Sequence, residues 1–397
     1  MAVKKSFKEE KPVFSKAVSV TQTKQKKKQN HAAKKEVVLK KPTKSLKVSS
    51  KNLNYSICIP TSITDDCKNL EQTTNVIYHI AKTATIFNVG EVIILDLGKE
   101  TPIEVTEDIK GTKGETKKRL SRPMLIATLL QYFVTPPYLV NTVFKKDYHK
   151  YFKYACKLPR LSVLPFMRYY EEDKGRFREG LAVRMSKPEA TNSNQSNSKK
   201  AKEFKQTKYI NIGKSECLEL KSQLVPVNVR VTVDTVEKRV VAPQEAYGDY
   251  VGAQSSFGYH VRVCKKFGSV FTESAFPEGY SQAIWCNSGD YYYNEKLKKN
   301  DSIENELPRI QSIVKSEKKT SENGDETPAA QMSNLLVLYG KWKHILESFE
   351  ASKEMFEGCS GPHEFFDGQL ELPGAAPRGM IPISDCCTIS LTLLSTM

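Results

Sequence analysis

The chain has 397 residues, a net charge of +16 and a hydrophobic content of 39%. This length accommodates two or three domains, and the balance fits a soluble globular protein with polar extensions. No stretch approaches the roughly 18 uninterrupted apolar residues of a membrane span, and the N-terminus has no apolar signal-peptide core, so neither a span nor a leader is expected.

The charge is unevenly placed. Residues 1–52 hold 16 lysines and 3 glutamates with no arginine or aspartate, so this tail carries +13 and leaves about +3 for the rest. Without an apolar period it is expected to be disordered. Its densest cluster is Lys26, Lys27 and Lys28, with Lys24 nearby. The cluster reads either as a nuclear or nucleolar import signal that also touches phosphates non-specifically, or as a solubilising tail. Nine scattered cysteines with no Cys-x-x-Cys pair read as reduced, buried thiols rather than a zinc site or disulfide framework. Six histidines show no metal spacing, so no metal is expected.

Tyr55–Ile59 reads as a strand stopped by Pro60, and Ser62–Asp66 as a helix entry with Ser and Asp as cap candidates. Leu70, Ile77, Ile80, Ala81 and Ala84 follow a helical apolar period. Val92–Leu97 is an apolar run typical of a strand buried on both faces. Residues 98–120 read as a polar loop. Met124–Phe133 reads as a second helix, broken by Pro136–Pro137, and Tyr138–Phe144 as another short one. Strand, helix, strand, helix is the signature of a parallel α/β sheet.

From about Arg178 to Phe271 the segments become short and β-branched. Leu181–Arg184, Tyr209–Ile212, Val227–Val233, Lys238–Val241 and Tyr259–Val263 read as five strands of a small OB-like barrel, with a low-complexity loop at 187–205. The α/β character returns at Ser269–Phe271 and Gly279–Ile284. Residues 296–332 read as an internal disordered insertion, Leu335–Tyr339 as a buried strand ended by Gly340, and Trp342–Phe349 as a helix. Leu391–Leu394 lie in a final short helix or strand.

Several stretches, in order, carry a resemblance: YSICIPTSITDD, IAKTATIFNVGEVIILD, Pro-Pro-Tyr-Leu at 136–139, LPRLSVLPFMR, FREGLAV, GYHVRV, FPEGYSQAIW, VLYG and PGAAPRGMIPISD. Over about residues 54–397 the chain resembles the eukaryotic and archaeal branch of the SPOUT RNA methyltransferases, whose knotted α/β domain carries an OB-fold insertion. The resemblance implies a SPOUT domain at 53–177 and 268–397 with a C-terminal trefoil knot, and an OB-like insertion at 178–267. It also implies a homodimer and S-adenosylmethionine as cofactor.

Three loops would form the cofactor pocket. They contain Leu338, Tyr339 and Gly340; Leu372, Pro373 and Gly374; and Met380, Ile381 and Ser384 following Arg378. Gly340 and Gly374 let the backbone approach a ligand without a Cβ, and Leu338, Leu372 and Ile381 are candidates to sandwich a purine. Read from the residues alone, the same glycines also suit ordinary strand-to-helix turns. Arg378 matches a family arginine that would clamp a phosphate or stabilise a developing anion, since a guanidinium stays charged and cannot act as a base. Ser384, Asp385, Cys386 and Cys387 stand where many relatives have Thr-Glu-Glu-Ala, leaving Asp385 as the available carboxylate. Leu370–Glu371 stand where the family has Asn-Thr. Arg168 matches a family arginine that would orient RNA. On the last barrel strand, Tyr259 and Arg262 suit base stacking and phosphate contact, or equally a half-buried tyrosine and a solvated arginine.

Three functions are open. One is S-adenosylmethionine-dependent methylation of ribosomal RNA, or its precursor, in the nucleus or nucleolus. Another is an RNA-binding assembly factor of pre-ribosomal particles with weak or no transfer activity. A chromatin role driven by the lysine tail is a third.

Overall fold

The computed structural model describes residues 42–48, 53–98, 120–167, 175–184, 205–247, 258–294, 298–302, 306–315, 333–373 and 381–397. Lys26, Lys27, Lys28, Arg168, Gly374, Arg378 and Met380 lie outside the described residues, as do almost all of the 98–120 and 187–205 loops.

The centre is a sheet of eight strands: β1 (Thr43–Val48), β2 (Leu53–Pro60), β3 (Glu91–Leu95), β4 (His260–Cys264), β5 (Gln282–Asn287), β6 (Arg309–Lys315), β7 (Ser333–Leu338) and β8 (Gly368–Glu371). Their spatial order is β1-β6-β8-β5-β7-β2-β3-β4, and every neighbouring pair is parallel. Parallel strands need helical crossovers that cover both faces, so the inner strands are largely buried and predominantly apolar. All five residues of β3 and all six of β7 are buried.

Side chains alternate between two cores. Ile57, Val92, Ile284, Val337 and Leu370 face one side, under helices α1 (Leu70–Ile86), α2 (Arg122–Phe133) and α4 (Ile383–Thr396). Cys58, Ile93, Trp285, Leu336 and Leu338 face the other, under α3 (Trp342–Glu350) and a short helix at Phe267–Thr272. α1 does not start from the 62–66 segment, where Thr61–Thr64 forms one 3-10 turn. Asn69 caps it instead, accepting from the Gln72 N–H at 2.9 Å, while the Gln72 amide oxygen reaches back to the Lys68 N–H at 2.7 Å. The C-terminal segment around Leu391 is a full helix.

An antiparallel sheet is inserted after α2. Its strands run in the order Arg239–Val241, Arg230–Asp234, Phe177–Ala182, Tyr209–Asn211, Leu218–Glu219, around a core of Ala182, Ile210, Ile212, Val231 and Val233. Buried Glu179 ties it together. Its carboxylate accepts from Arg230 Nε at 2.9 Å, Thr232 Oγ1 at 2.7 Å and Tyr247 OH at 3.1 Å, and Arg230 Nη1 donates to the Val134 carbonyl at the end of α2.

Three expectations are corrected. Tyr259–Val263 does not join the inserted sheet: His260–Cys264 is the edge strand β4 of the large sheet, paired with β3 from His260↔Glu91 to Cys264↔Leu95. A half-exposed edge strand shows the same alternation as a barrel strand, so pattern alone does not separate them. The lysine-rich segment ends in a strand, β1, at Thr43–Val48, where Leu46 and Val48 are buried in the core. The 296–332 segment contains β6, which joins β1 to β8, so it is not wholly an insertion. Among the described residues no helix is long and apolar enough to cross a membrane.

Candidate active site

β7 and β8 are consecutive in the large sheet's chain order but lie on opposite sides of β5. Their C-terminal loops therefore leave in different directions from the end of β5, and by topology this switch point is the candidate ligand crevice, the usual ligand position in an open parallel sheet. The loop after β5, Asn287-Ser288-Gly289-Asp290, fills the centre of this edge. The Asn287 amide oxygen accepts from the Gly289 N–H at 3.0 Å and the Asp290 N–H at 3.2 Å, folding the turn. Its carbonyl accepts from Leu372 N–H at 3.3 Å and that of Ser288 from Ile381 N–H at 3.1 Å, so one turn holds the segments after β8 and before α4.

The same turn fixes the loop after β7. Asp290, 5% exposed, accepts the Trp342 N–H at 2.6 Å and so caps α3, whose own preceding residue, Lys341, provides no side-chain cap. Burial raises the Asp290 pKa, opposed by that N–H and by Lys341 and His344. Trp285 Nε1 donates to the Gly340 carbonyl at 3.0 Å. Gly340 has φ +117°, and a Cβ there would stand 2.9 Å from Pro60 Cγ at the end of β2. Only glycine suits both the conformation and the approach.

The expected pocket residues are partly brought together. Gly340, Leu372, Pro373, Ile381, Ser384 and Asp385 stand on this one edge, at the ends of β7 and β8 and the start of α4. Leu338 and Leu372 belong to cores on opposite faces of the sheet, so they cannot sandwich one purine between them. Tyr339 turns its ring into the core, 1% exposed, with its hydroxyl 2.6 Å from Ser390 Oγ and its N–H spent on the Cys58 carbonyl. Beneath the crevice pack Cys286, Cys386 and Cys387, all buried. Burial pushes the Cys386 thiol up to about 12 and the other two well above the usual thiol range, so all three are neutral, unreactive packing groups. Asp385 is exposed in the first turn of α4.

Tyr259 and Arg262 are corrected as RNA contacts. Tyr259 is 4% exposed and donates its hydroxyl to the Leu130 carbonyl at 2.9 Å, so no base can stack on it. Arg262 is held at 2.7 Å by the fully buried Glu91 and donates to the Ser269 and Val270 carbonyls. Sequence reasoning missed Asn287 and Asp290, although Asn-Ser-Gly-Asp directly after an apolar run is a turn signal. Among the described residues no three His, Cys, Asp or Glu side chains form a group able to hold a metal ion.

Residues 54–394 match a protein-family model described as "Putative RNA methyltransferase". Two Saccharomyces cerevisiae proteins, each named "Putative methyltransferase", are similar across nearly their whole length. One is 40% identical over 349 residues, covering 88% of this chain and 95% of the relative. The other is 39% identical over 355 residues, covering 89% and 92%. A Mus musculus protein named 28S rRNA (uridine-N(3))-methyltransferase is 30% identical over 233 residues, covering 58% of this chain and 55% of the relative. A matched model over most of the chain, together with end-to-end similarity to the yeast proteins, makes this chain a member of that RNA methyltransferase family.

Proposed function

We propose that the chain is an S-adenosylmethionine-dependent methyltransferase of ribosomal RNA, working at the crevice beyond β5, β7 and β8. The observation that carries this reading is Gly340, a glycine at φ +117° after β7 at the sheet's C-terminal edge, where a Cβ would run into the Pro60 ring and displace the loop. In this reading the adenosyl ligand lies between the loop at Gly340 and the segments Leu372–Pro373 and Ile381–Ser384, which the Asn287–Asp290 turn holds in place. Bound there, S-adenosylmethionine supplies an electrophilic methyl group. The chain's task is to align an RNA nitrogen with that methyl and take its proton.

In this reading Asp385, an exposed carboxylate at the α4 entrance, accepts the proton, and Arg378 balances the charge that the departing proton leaves on the acceptor. The mouse relative's name, a uridine-N3 methyltransferase of 28S rRNA, makes uridine N3 the acceptor to test first. A SPOUT knot in the C-terminal half, an OB-like closure of the inserted sheet, homodimerisation and a nuclear or nucleolar setting belong to the same proposal. The family membership supports these, and for the knot alone the chain's passage from β7 across β5 to β8 adds to it.

Isothermal titration with S-adenosylmethionine and S-adenosylhomocysteine tests it, with Gly340→Trp as a blocked control. Micromolar binding, about −8 kcal/mol, abolished in the variant is the expected result. No binding up to millimolar overturns it and leaves a scaffold that assembles pre-ribosomal particles without transferring methyl groups.

A further inference from the structure

Between α2 and the inserted sheet the chain makes an excursion of 3-10 turns, Lys146–Phe152 and Ala155–Lys157. Its sequence from 145 to 160 is KKDYHKYFKYACKLPR, with six cations against one carboxylate, Asp147. Outside residues 1–52 the chain carries a net charge of only about +3, so this short segment concentrates more positive charge than the remaining folded part nets. A run of lysines is most often a solvated face whose charges are answered by nearby acids. Here Lys145, Lys146, Lys150, Lys157 and Arg160 make no ion pair among the described residues.

The excursion is held firmly from below. Tyr151, Phe152 and Ala155 are buried, and Phe152 stacks on Tyr132 of α2 at 4.4 Å. The lysines stand outward and lean on tyrosine faces: Lys150 over Tyr151 at 5.0 Å, and Lys157 over Tyr154 at 5.7 Å. Cations on an anchored segment lose less freedom when they meet a polyanion than cations on a loose one.

A chain of contacts links this segment to the edge of the sheet that carries the crevice. Gly340, after β7, abuts Pro60 at the end of β2. The turn that follows Pro60 leads to Asp65, which pairs with Arg122 at the start of α2. Two residues earlier, the Leu120 N–H donates to the Tyr151 hydroxyl at 3.1 Å.

We infer that residues 145–160 form a surface that grips the sugar–phosphate backbone of RNA and leads it along α2 toward the crevice. This rests on the RNA-methyltransferase reading and adds to it where the substrate lies. The partner is a polyanion of regular phosphate spacing; an acidic protein segment is the competing occupant.

The test uses the full chain and a K145Q/K146Q/K150Q/K157Q variant, with the single Lys157→Glu chain as a milder companion. Anisotropy is measured with a labelled 30-nucleotide single-stranded RNA of mixed sequence and with labelled poly-L-glutamate, across a salt series. S-adenosylmethionine titration and circular dichroism serve as fold controls. The expected result is roughly a tenfold or greater loss of RNA affinity and a fall of about 3 in the slope of log affinity against log salt, at about 0.7 for each phosphate no longer neutralised, with donor affinity unchanged. RNA affinity and slope unaltered in a wild type that does bind RNA would sink this surface while leaving the proposed reaction intact. Loss of poly-L-glutamate binding alone would reassign the surface to a protein partner. A wild type that binds RNA no better than poly-L-glutamate would remove both the surface and the RNA reading.

Discussion

Replacing Gly340 by alanine probes the crevice with one methyl group. Gly340 sits at φ +117°, and the added Cβ would lie 2.9 Å from Pro60 Cγ. Holding an L-residue in that conformation costs about 1–3 kcal/mol. Displacing a ring at a strand end adds about 1 kcal/mol. The reduced freedom of the unfolded chain offsets about 0.5 kcal/mol. The net loss is about 1.5–3.5 kcal/mol, which lowers the urea midpoint by about 0.5–1.2 M at an m-value of about 3 kcal/mol/M. Because the strained loop is the one proposed to cradle the donor, affinity for S-adenosylmethionine should fall about tenfold or more. Gly279→Ala is the matched control. It has φ +68° with nothing within 4 Å of the new Cβ, and it stands before β5, at the opposite edge of the sheet. It should lose about 1 kcal/mol and keep full donor affinity. Equal donor affinity in wild type and Gly340→Ala, or an equal loss in both variants, would refute the reasoning.

Asn287→Ala removes the amide that folds the 288–290 turn and should cost about 1–2 kcal/mol in urea denaturation while weakening the donor in the same titration. Arg262→Ala strands the fully buried Glu91 carboxylate and should cost about 3–5 kcal/mol by the same denaturation, yet leave donor binding unchanged because β4 is the far edge of the sheet. Iodoacetamide at pH 8, read by mass spectrometry, should label exposed Cys156 and Cys217 quickly and spare Cys286, Cys386 and Cys387 until denaturant is added. The sign follows from burial: with the Cys386 pKa pushed up to about 12, its thiolate is negligible at pH 8.

The α/β half of the fold was legible because buried parallel strands announce themselves. Val92–Leu97 and Leu335–Tyr339 lack alternation, and both prove to be inner strands. The two edge strands, β1 and β4, and β6 beside β1 were not. β1 sits among lysines, β6 inside a charged stretch, and β4 alternates as a barrel strand would. What identifies each is a partner distant in the chain, Thr43 beside Arg309 and Val261 beside Val92, which no local pattern contains. The site was half legible. Gly340 stands out through the family resemblance, because by itself a glycine after a strand also suits an ordinary strand-to-helix turn. Tyr339 and Leu338 were drawn in by adjacency, though period two sends their side chains into the two cores. Asn287 escaped because a turn-former reveals nothing of the two loops it will bind.

Methyl transfer itself tests the central claim most directly. The full chain is incubated with methyl-tritiated S-adenosylmethionine and unmodified large-subunit ribosomal RNA, and the digested RNA is resolved by nucleoside mass spectrometry. The account predicts label in the RNA as N3-methyluridine, absent with Gly340→Trp. Incorporation by the native chain no greater than that by Gly340→Trp would contradict it.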